Sequence, residues 1–351
     1  MESGTLEQTL PGLDVRPLLP EMSTGHAIPL TPQKRLMVFA GRSHQELAQR
    51  IAERLGVELG AIALETFANG ETYCRYEESI RGADLFLLQT GAEPVDRNLM
   101  ELFFMIQAAR LASAKRITAV IPLFPYARQD RKARPREPIS SRLVADMLQL
   151  AGADRVLTMD LHAGQVQGFF TIPVDHMTAL PLFARHFHDL GLTGSGVVSV
   201  SPDAGRARLA VRFAEMIGAD FALMHKTRPA HDQASVTEIT GRVQNKIAIV
   251  GDDVIMTGGT LLANVQALKE HGAREVWVFA THGLFCGDAL GRFKESEMSG
   301  IVVTDTVPID PREQPENLTV LTVSGLLAET IMNVFADESV SAIFGGENQL
   351  F

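Results

Sequence analysis

The sequence predicts an α/β protein in which mostly parallel sheets are covered by helices on both faces. From Leu36 onward, short apolar runs alternate with segments whose apolar residues recur at helical spacing. Several of these runs are apolar throughout, as a strand requires when both faces of its sheet are buried. A short internal echo also indicates two related α/β halves.

The predicted strands are short aliphatic runs between charged or turn-forming residues. They cover 36–40, 85–89, 117–122, 155–159, 196–200, 221–224, 246–250, 276–280, 301–305 and 318–323. Segments such as 43–56 and 260–272 have the spacing of amphipathic helices. Because strands and helices alternate, crossover connections and a parallel sheet are expected.

The echo is a sequence similarity between residues 151–164 and residues 271–287. Both segments read Gly-Ala, with a Val four residues after the Gly and a His ten residues after it. This spacing pairs Gly152 with Gly272, and His162 with His282. We expect each His just past the end of a strand, where open parallel sheets bind their ligands.

The composition excludes several classes of protein. The 351 residues carry 32 Lys and Arg against 42 Asp and Glu, and this net charge of −10 argues against a general nucleic-acid binder. Cys74 and Cys286 are too few for a disulfide framework or a cysteine zinc site, and they indicate a reducing compartment. No apolar run approaches the roughly 18 residues of a membrane helix. The first fifteen residues lack the Lys or Arg of a signal peptide. We therefore expect a cytoplasmic protein without a membrane or nucleic-acid partner.

The segment KIAIVGDDVIMTGGT (246–260) is typical of a site for a phosphorylated sugar. A strand is expected to end at Asp252 and Asp253, whose carboxylates can accept hydrogen bonds from vicinal hydroxyls or help to bind Mg²⁺. A phosphate can bind the N–H groups, hydroxyls and helix start of the next turn, which consists of Thr257, Gly258, Gly259 and Thr260. A threonine-capped turn with no ligand is the structural alternative.

A basic loop is predicted between residues 124 and 140. Five Lys and Arg residues face two acids, and three prolines interrupt regular structure. Guanidinium groups bind phosphate oxygens through paired hydrogen bonds, which suits a polyphosphate ligand. A solvated loop or a subunit interface is the alternative.

Two further clusters carry chemistry. Asp160 and His162 alternate at the end of a predicted strand, so their side chains are expected to point the same way. With Asp203 they could form a Mg²⁺ site, because this ion keeps several waters and needs few protein ligands. Lys226 and Arg228 lie in MHKTRPAHDQ (224–233), which lacks periodicity and is expected to be a loop that closes over a substrate. Solvated surface charges are the alternative there.

Taken together, eight ordered motifs resemble the ribose-phosphate diphosphokinase, or phosphoribosyl diphosphate synthetase, family from about Met37 to Phe344. The motifs are FANGE (67–71), FPYARQDRK (124–132), EPIS (137–140), TMDLH (158–162), QGFF (167–170), VSPDAG (200–205), HKTR (225–228) and GDDVIMTGGT (251–260). The resemblance implies two tandem type I phosphoribosyltransferase-like domains, each a mostly parallel sheet flanked by helices. It also implies transfer of the β,γ-diphosphoryl group of Mg-ATP to the C1 hydroxyl of ribose 5-phosphate, with release of AMP, for nucleotide biosynthesis.

The resemblance further implies roles for the motif residues. Lys226 and Arg228 would close over the transferring group, and His162 and Asp203 would bind Mg²⁺ with Asp160 nearby. The ribose hydroxyls would bind Asp252 and Asp253, and the 5-phosphate would bind the turn at 257–260. ATP would contact Arg128 and Gln129 and, from a neighbouring subunit of a homo-hexamer built from dimers, Phe67, Asn69 and Glu71. A regulatory anion site is partly matched by Gln167, Asp175, Ser339, Ser341 and Phe344.

Three positions depart from the family's pattern. Met256 replaces an acid that usually lies between the aspartates and the phosphate turn, so we expect weaker binding of ribose 5-phosphate or metal with the fold retained. Arg206 replaces a second Gly and is expected to be a minor variation. Gly164 replaces a Ser of the anion site, which leaves activation by phosphate and inhibition by ADP open.

Two alternatives remain from the sequence. The segment 246–260 also fits a phosphoribosyltransferase, although FANGE, YARQDRK and HKTR belong to the ATP-using assembly. A catalytically inert regulatory homologue is supported by Met256 and opposed by the intact Lys226, Arg228, His162 and Asp203. The expected domains are 34–178, with the ATP-binding loops, and 179–351, with the ribose 5-phosphate loop. Residues 1–33 are expected to be a proline-rich extension.

Overall fold

Two mostly parallel sheets organise the chain, which a computed structural model describes for residues 34–227 and 236–344. The strands are β1 (Leu36–Ala40), β2 (Ile62–Thr66), β3 (Thr72–Tyr76), β4 (Asp84–Leu88), β5 (Arg116–Ile121), β6 (Arg155–Met159), β7 (Val174–Met177), β8 (Val197–Ser201), β9 (Asp220–Thr227), β10 (Val236–Thr240), β11 (Ile247–Ile255), β12 (Glu275–Gly283), β13 (Gly300–Thr304) and β14 (Leu318–Leu321). The helices are α1 (Gln45–Leu55), α2 (Val95–Leu111), α3 (Ser140–Ala151), α4 (Leu180–Asp189), α5 (Ala207–Ile217), α6 (Gly259–Glu270), α7 (Ala289–Lys294) and α8 (Ser324–Ala336).

The first sheet has the order β1-β4-β5-β6-β7, and all of its pairs are parallel. The second sheet has the order β10-β9-β8-β11-β12-β13-β14 and is parallel except for the edge strand β10. Strands β2 and β3 form a separate antiparallel hairpin. This architecture confirms the predicted fold class.

The helices lie in layers around the two sheets. The central core combines side chains from both sheets with those of α1, α4, α5 and α8. A second core covers the other face of the first sheet with α2 and α3, and a third covers the other face of the second sheet with α6 and α7. Within β4, Phe86 enters the central core while Leu85 and Leu87 enter the outer one. This alternation along a strand explains why the run is apolar throughout.

Three strands run further than their apolar residues predict. Strand β11 stays paired with β12 as far as Ile255, so Asp252 and Asp253 lie inside a strand and not at its end. The same pairing places His282 within β12, which corrects the expectation that it follows the strand. Strand β9 continues through Lys226, which pairs with β10, so the predicted loop does not begin at 224. Backbone pairing with a neighbour, which a single run does not reveal, sets these ends.

Strands β2, β3, β7 and β10 are absent from the sequence prediction. Their sequences, such as TYCRY and VDHM, mix polar and half-exposed residues and lack a continuous apolar run. The described helices include none that is long and apolar enough to cross a membrane. The domain boundary at 178/179 stays a prediction, because the central core joins residues from both sides of it.

Candidate functional site

Two adjoining cavities lie at the carboxyl ends of β6 and β11. The first cavity, of about 530 Å³, is lined by Phe124, Arg128, Gln129, Met256 and others. The second cavity, of about 540 Å³, has both polar and apolar lining groups, and four arginines are among them: Arg131, Arg206, Arg208 and Arg212. Asp160, Leu161, His162 and Asp253 line both cavities. The structure therefore brings together residues from several of the predicted motifs.

Asp253, the second of the paired aspartates of β11, meets His162 where the two cavities adjoin. The Nδ1 atom of His162 lies 2.8 Å from Oδ2 of Asp253, although 91 positions separate the two residues. Asp253 is buried, with 3% of its surface exposed, whereas the side chain of Asp252 is 33% exposed. Asp253 therefore lines both cavities from a buried position, whereas Asp252 is more exposed and lines neither of them.

Arg206 inserts its side chain between these groups. Its Nε donates to Oδ1 of Asp252 over 3.1 Å, and its Nη2 donates to Oδ1 of Asp253. The same Nη2 lies 2.8 Å from Nδ1 of His162. The expectation that Arg206 is a minor variation is wrong, because a side chain in place of Gly puts a positive charge in the centre of the site.

The surroundings of the two carboxyl groups shift their pKa values in opposite directions. Burial favours the neutral form of Asp253, but the hydrogen bond from His162 and the charge of Arg206 outweigh burial and lower its pKa. Burial, and then the hydrogen bond and charge of Asp253, raise the pKa of Asp252. Two neighbouring carboxyl groups that share one guanidinium thus divide into an ionised and a more readily protonated member.

The predicted phosphate turn follows β11 and opens helix α6. Gly258 caps the helix with φ +72°, a left-handed conformation that suits glycine. A Cβ atom at Gly258 would lie 2.3 Å from Cζ of Phe293, so this position also has no room for a side chain. Thr257, Gly259 and Thr260 are exposed, and Arg292 donates to the carbonyl of Thr257. The turn therefore presents N–H groups and a helix N-terminus to solvent.

Asp160 joins the two sheets. Its Oδ2 accepts hydrogen bonds from the Ala179 N–H over 2.8 Å and from the hydroxyl of Thr281 over 2.6 Å. The next residue, Leu161, donates its N–H to Nε2 of the buried His176 over 2.8 Å. These bonds assign Asp160 a positioning role in the residues described.

Asp203 caps its own turn and does not meet the other predicted metal ligands. Its Oδ1 accepts from the N–H groups of Gly205 at 2.8 Å and Arg206 at 3.2 Å. Across 34–227 and 236–344, no three or more His, Cys, Asp and Glu side chains are arranged to hold a metal ion. In this structure Arg206 lies beside His162, and Oδ1 of Asp203 and Oδ2 of Asp160 accept protein hydrogen bonds, so the three residues form no preassembled cluster. Magnesium binding by His162, Asp203 and Asp160 stays a prediction, because this ion keeps several waters and needs few protein ligands.

The predicted nucleotide residues fall into two places. Arg128 and Gln129 line the first cavity, where a guanidinium N–H of Arg128 points at the sulfur of Met256. The Gln129 side chain accepts from the hydroxyl of Ser140 at 2.6 Å, at the start of α3. Arg128 therefore contacts the position at which the family's pattern has an acid.

Phe67, Asn69 and Glu71 lie instead at the exposed tip of the β2–β3 hairpin. Asn69 accepts from the Glu71 N–H at 3.2 Å, and Phe67 packs on Tyr73 with half of its surface exposed. None of these three lines either cavity of the described chain. The tip of the hairpin is thus exposed in this chain, and its contact with a neighbouring subunit stays a prediction.

The structure describes most, but not all, of the remaining predicted residues. Lys226 lies on β9, whereas Arg228 falls outside the described residues. Of the anion-site residues, Asp175 pairs with Arg155 at 2.6 Å and Gln167 donates to the Gly164 carbonyl at 3.2 Å. Ser339 and Ser341 share a 2.9 Å hydrogen bond after α8, and Phe344 ends the following 3-10 turn. Arg155 lies 20 positions from Asp175, whereas the other partners are at most three positions away. Within the described part of the chain, no hydrogen bond joins Asp175 or Gln167 to Ser339 or Ser341.

Sequence reasoning missed two residues of the site, Arg206 and Arg292. Arg206 carried a signal, since it departs from the family's Gly, but its contacts depend on residues 44 to 47 positions away. Arg292 lies in the short helix α7 and has no local pattern that marks it.

Comparisons with known proteins agree with this arrangement. The N-terminal domain of ribose phosphate pyrophosphokinase matches residues 36–152, and the phosphoribosyl synthetase-associated domain matches residues 222–345. The ribose-phosphate pyrophosphokinase of Streptomyces coelicolor is 46% identical over 319 residues, which cover 90% of this chain and 98% of that protein. Ribose-phosphate pyrophosphokinase 2 of Schizosaccharomyces pombe is 45% identical over 88% of this chain and 97% of its own length.

A solved structure gives the same result. The crystal structure of phosphoribosylpyrophosphate synthetase from Mycobacterium smegmatis is 46% identical and has a TM-score of 0.81. The match covers 87% of this chain and 100% of that one. Because sequence and fold agree along most of its length, the chain belongs to the ribose-phosphate pyrophosphokinase family of transferases.

Proposed function

We propose that the chain transfers the β,γ-diphosphoryl group of Mg-ATP to the C1 hydroxyl of ribose 5-phosphate, giving 5-phosphoribosyl 1-diphosphate and AMP for nucleotide biosynthesis. The observation that carries the proposal is the meeting of two motif sets at one place. Strand β11 brings Asp253 to both cavities, and Met256, which directly precedes the phosphate turn, lines the first of them. The first sheet brings His162 to both cavities and Arg128 to the first.

Ribose 5-phosphate would bind along the end of β11 and the start of α6. Asp252 and Asp253 are acceptors for the vicinal hydroxyls, and the exposed N–H groups of residues 257–260 are donors for the phosphate. Both ends of the sugar would then be held by one strand–turn–helix unit, which places C1 toward the cavities.

ATP would enter the first cavity, where Arg128 and Gln129 are available to its phosphates and base. The hairpin tip with Phe67, Asn69 and Glu71 would complete this site from a neighbouring copy, because it lines no cavity of its own described chain. A homo-hexamer built from dimers and a cytoplasmic location belong to the same proposal.

The reaction requires the protein mainly to position the two substrates and to neutralise their negative charge. The C1 oxygen attacks the β-phosphorus, the bond from that phosphorus to the oxygen of the α-phosphate breaks, and AMP leaves with the bonding electrons. The C1 hydroxyl loses its proton in this step, and no residue is assigned as its acceptor. Holding the two substrates in line supplies most of the rate gain, at best roughly 7–11 kcal/mol. Lys226 and Arg228 would stabilise the negative charge. Mg²⁺ is proposed to arrive with ATP, since it binds mostly through phosphates and water.

Phosphorus NMR tests the proposal directly. The purified chain is mixed with Mg-ATP and ribose 5-phosphate, and AMP and phosphoribosyl diphosphate are expected to appear in equal amounts. Orthophosphate and ADP in their place would indicate hydrolysis or single phosphoryl transfer, and would contradict diphosphoryl transfer.

A catalytically weak or inert regulatory homologue is the second candidate. Two observations favour it, since Met256 removes an acid from the ribose site and Arg206 occupies its carboxylates. The same NMR assay on Met256→Asp separates the two candidates. Product from the variant but not from the native chain would support the inert homologue.

A further inference from the structure

We propose that Arg206 is a built-in cation that closes the acidic pair, and that a ligand reaches Asp252 and Asp253 only when this side chain moves away. The inference rests on the proposed function for the identity of one ligand, ribose 5-phosphate. Its basis in the structure, the contacts of Arg206, is independent of that function.

The contacts show that one guanidinium serves three groups. It forms ion pairs with both aspartates and lies against the ring nitrogen of His162, and only 16% of its side chain is exposed. A sugar hydroxyl or a divalent cation would need the same carboxylate oxygens. Guanidinium and ligand therefore compete for one set of acceptors.

The charge balance explains why Arg206 stays bound to the two aspartates when no ligand is present. Asp253 is buried, and an ionised buried carboxylate is costly unless it is paired and hydrogen-bonded. Arg206 supplies both the charge and the donors.

The structure also gives the side chain a place to go. Arg206 lines the second cavity, of about 540 Å³, which extends away from β11 toward the loop that carries Asp130. The φ of Arg206 is −102°, so its backbone needs no glycine and the side chain can rotate without a change of the turn. Opening is thus a side-chain movement.

Two binding measurements test the inference. Mn²⁺ binding without nucleotide is followed by electron paramagnetic resonance, and ribose 5-phosphate binding is followed by calorimetry. We compare the native chain with Arg206→Ala, which frees the carboxylates, and Arg206→Lys, which keeps the charge but not the fork. Arg208→Ala is the matched control, because this substitution removes an equal charge from the same cavity. The described contacts of Arg208 include neither aspartate.

We expect Arg206→Ala to lower the dissociation constant of both ligands by about tenfold, as the loss of a competing charge-assisted hydrogen bond predicts. The dissociation constants of Arg206→Lys should lie between those of the native chain and those of Arg206→Ala. Those of Arg208→Ala should stay within about twofold of the native values. Unchanged or weaker Mn²⁺ binding by Arg206→Ala would overturn the inference. Circular dichroism of each variant checks that it is folded, and Arg206→Lys retains the test if the alanine variant is not.

The two proposals fail separately. Tighter Mn²⁺ binding by Arg206→Ala with no diphosphoryl transfer by any variant would leave the closing role intact and remove the proposed function. Diphosphoryl transfer by the native chain with equal Mn²⁺ binding in all variants would keep the function and remove the closing role.

Discussion

Asp160 and Thr281 are joined by a 2.6 Å hydrogen bond across 121 positions of the chain. The bond links the end of β6 in the first sheet to β12 in the second. Since Asp160 also accepts from the Ala179 N–H, one carboxylate oxygen ties together three segments beside the site. Asp160, which is also predicted to lie near the metal, thus links the end of β6 to the second sheet.

A double-mutant cycle on Asp160→Asn and Thr281→Val tests this link. Each residue is buried, so we expect each single change to lower the free energy of unfolding by about 1–3 kcal/mol. The pair should show a coupling of about 1 kcal/mol or more in urea unfolding. Additive effects would mean that the hydrogen bond contributes nothing, and would contradict the positioning role.

Met256→Asp should strengthen binding of ribose 5-phosphate. The new carboxylate restores an acceptor next to the phosphate turn, where a thioether accepts only weakly. We expect the sugar KM to fall several-fold, by about tenfold at most, even though Arg128 lies close enough to compete for the carboxylate. Steady-state kinetics measure the change, with Met256→Leu as an apolar control. A variant whose sugar KM and turnover both equal those of the native chain would refute this prediction.

Because of His176, we expect the free energy of unfolding to be lower in mild acid than at neutral pH. Burial lowers the pKa of this His to about 4, and its Nε2 accepts a hydrogen bond from Leu161, which the neutral ring alone can do. Above the ordinary pKa of about 6.5 neither state is protonated. Between pH 6.5 and 4 the unfolded chain binds a proton that the native chain does not, so stability falls as the pH falls.

The loss from His176 amounts to at most about 3 to 4 kcal/mol over that range, at roughly 1.4 kcal/mol per pH unit. Urea unfolding at pH 7.5 and 5.5 measures the first part of this loss, about 1 kcal/mol. The variant His176→Gln keeps an acceptor that does not titrate. We expect the variant to lose less stability on acidification than the native chain. An equal loss in both proteins would assign the acid sensitivity to other groups.

Gly258→Ala should damage the phosphate turn, whereas Gly259→Ala should not. A Cβ at Gly258 meets Phe293 and requires a left-handed backbone, while one at Gly259, the first residue of α6, meets no atom within 4 Å. We expect Gly258→Ala to lower the free energy of unfolding by about 1–3 kcal/mol and to raise the sugar KM. Thermal unfolding and kinetics on both variants check this. Equal behaviour of the two variants would contradict the assigned geometry.

Local pattern predicted the parts of the fold that depend on local burial. The strands at 36–40 and 155–159 have the predicted bounds, because their apolar runs coincide with their buried stretch. The hairpin of β2 and β3 was not predicted, since it is half-exposed and has no such run. Strand β11 was predicted too short because its last residues, including the two aspartates, are held by β12 and not by their own hydrophobicity.

The sequence by itself determined the fold class and the family resemblance. It also placed Arg128 and His162 after strands of one half and Asp252 and Asp253 near a strand end of the other, where parallel sheets bind their ligands. Only the tertiary structure decided which groups those residues meet. Arg206 pairs with the aspartates, and Asp160 with Thr281, over separations of 46 to 121 positions. No local pattern encodes such pairs, because each depends on the folded path of the chain that brings its members together.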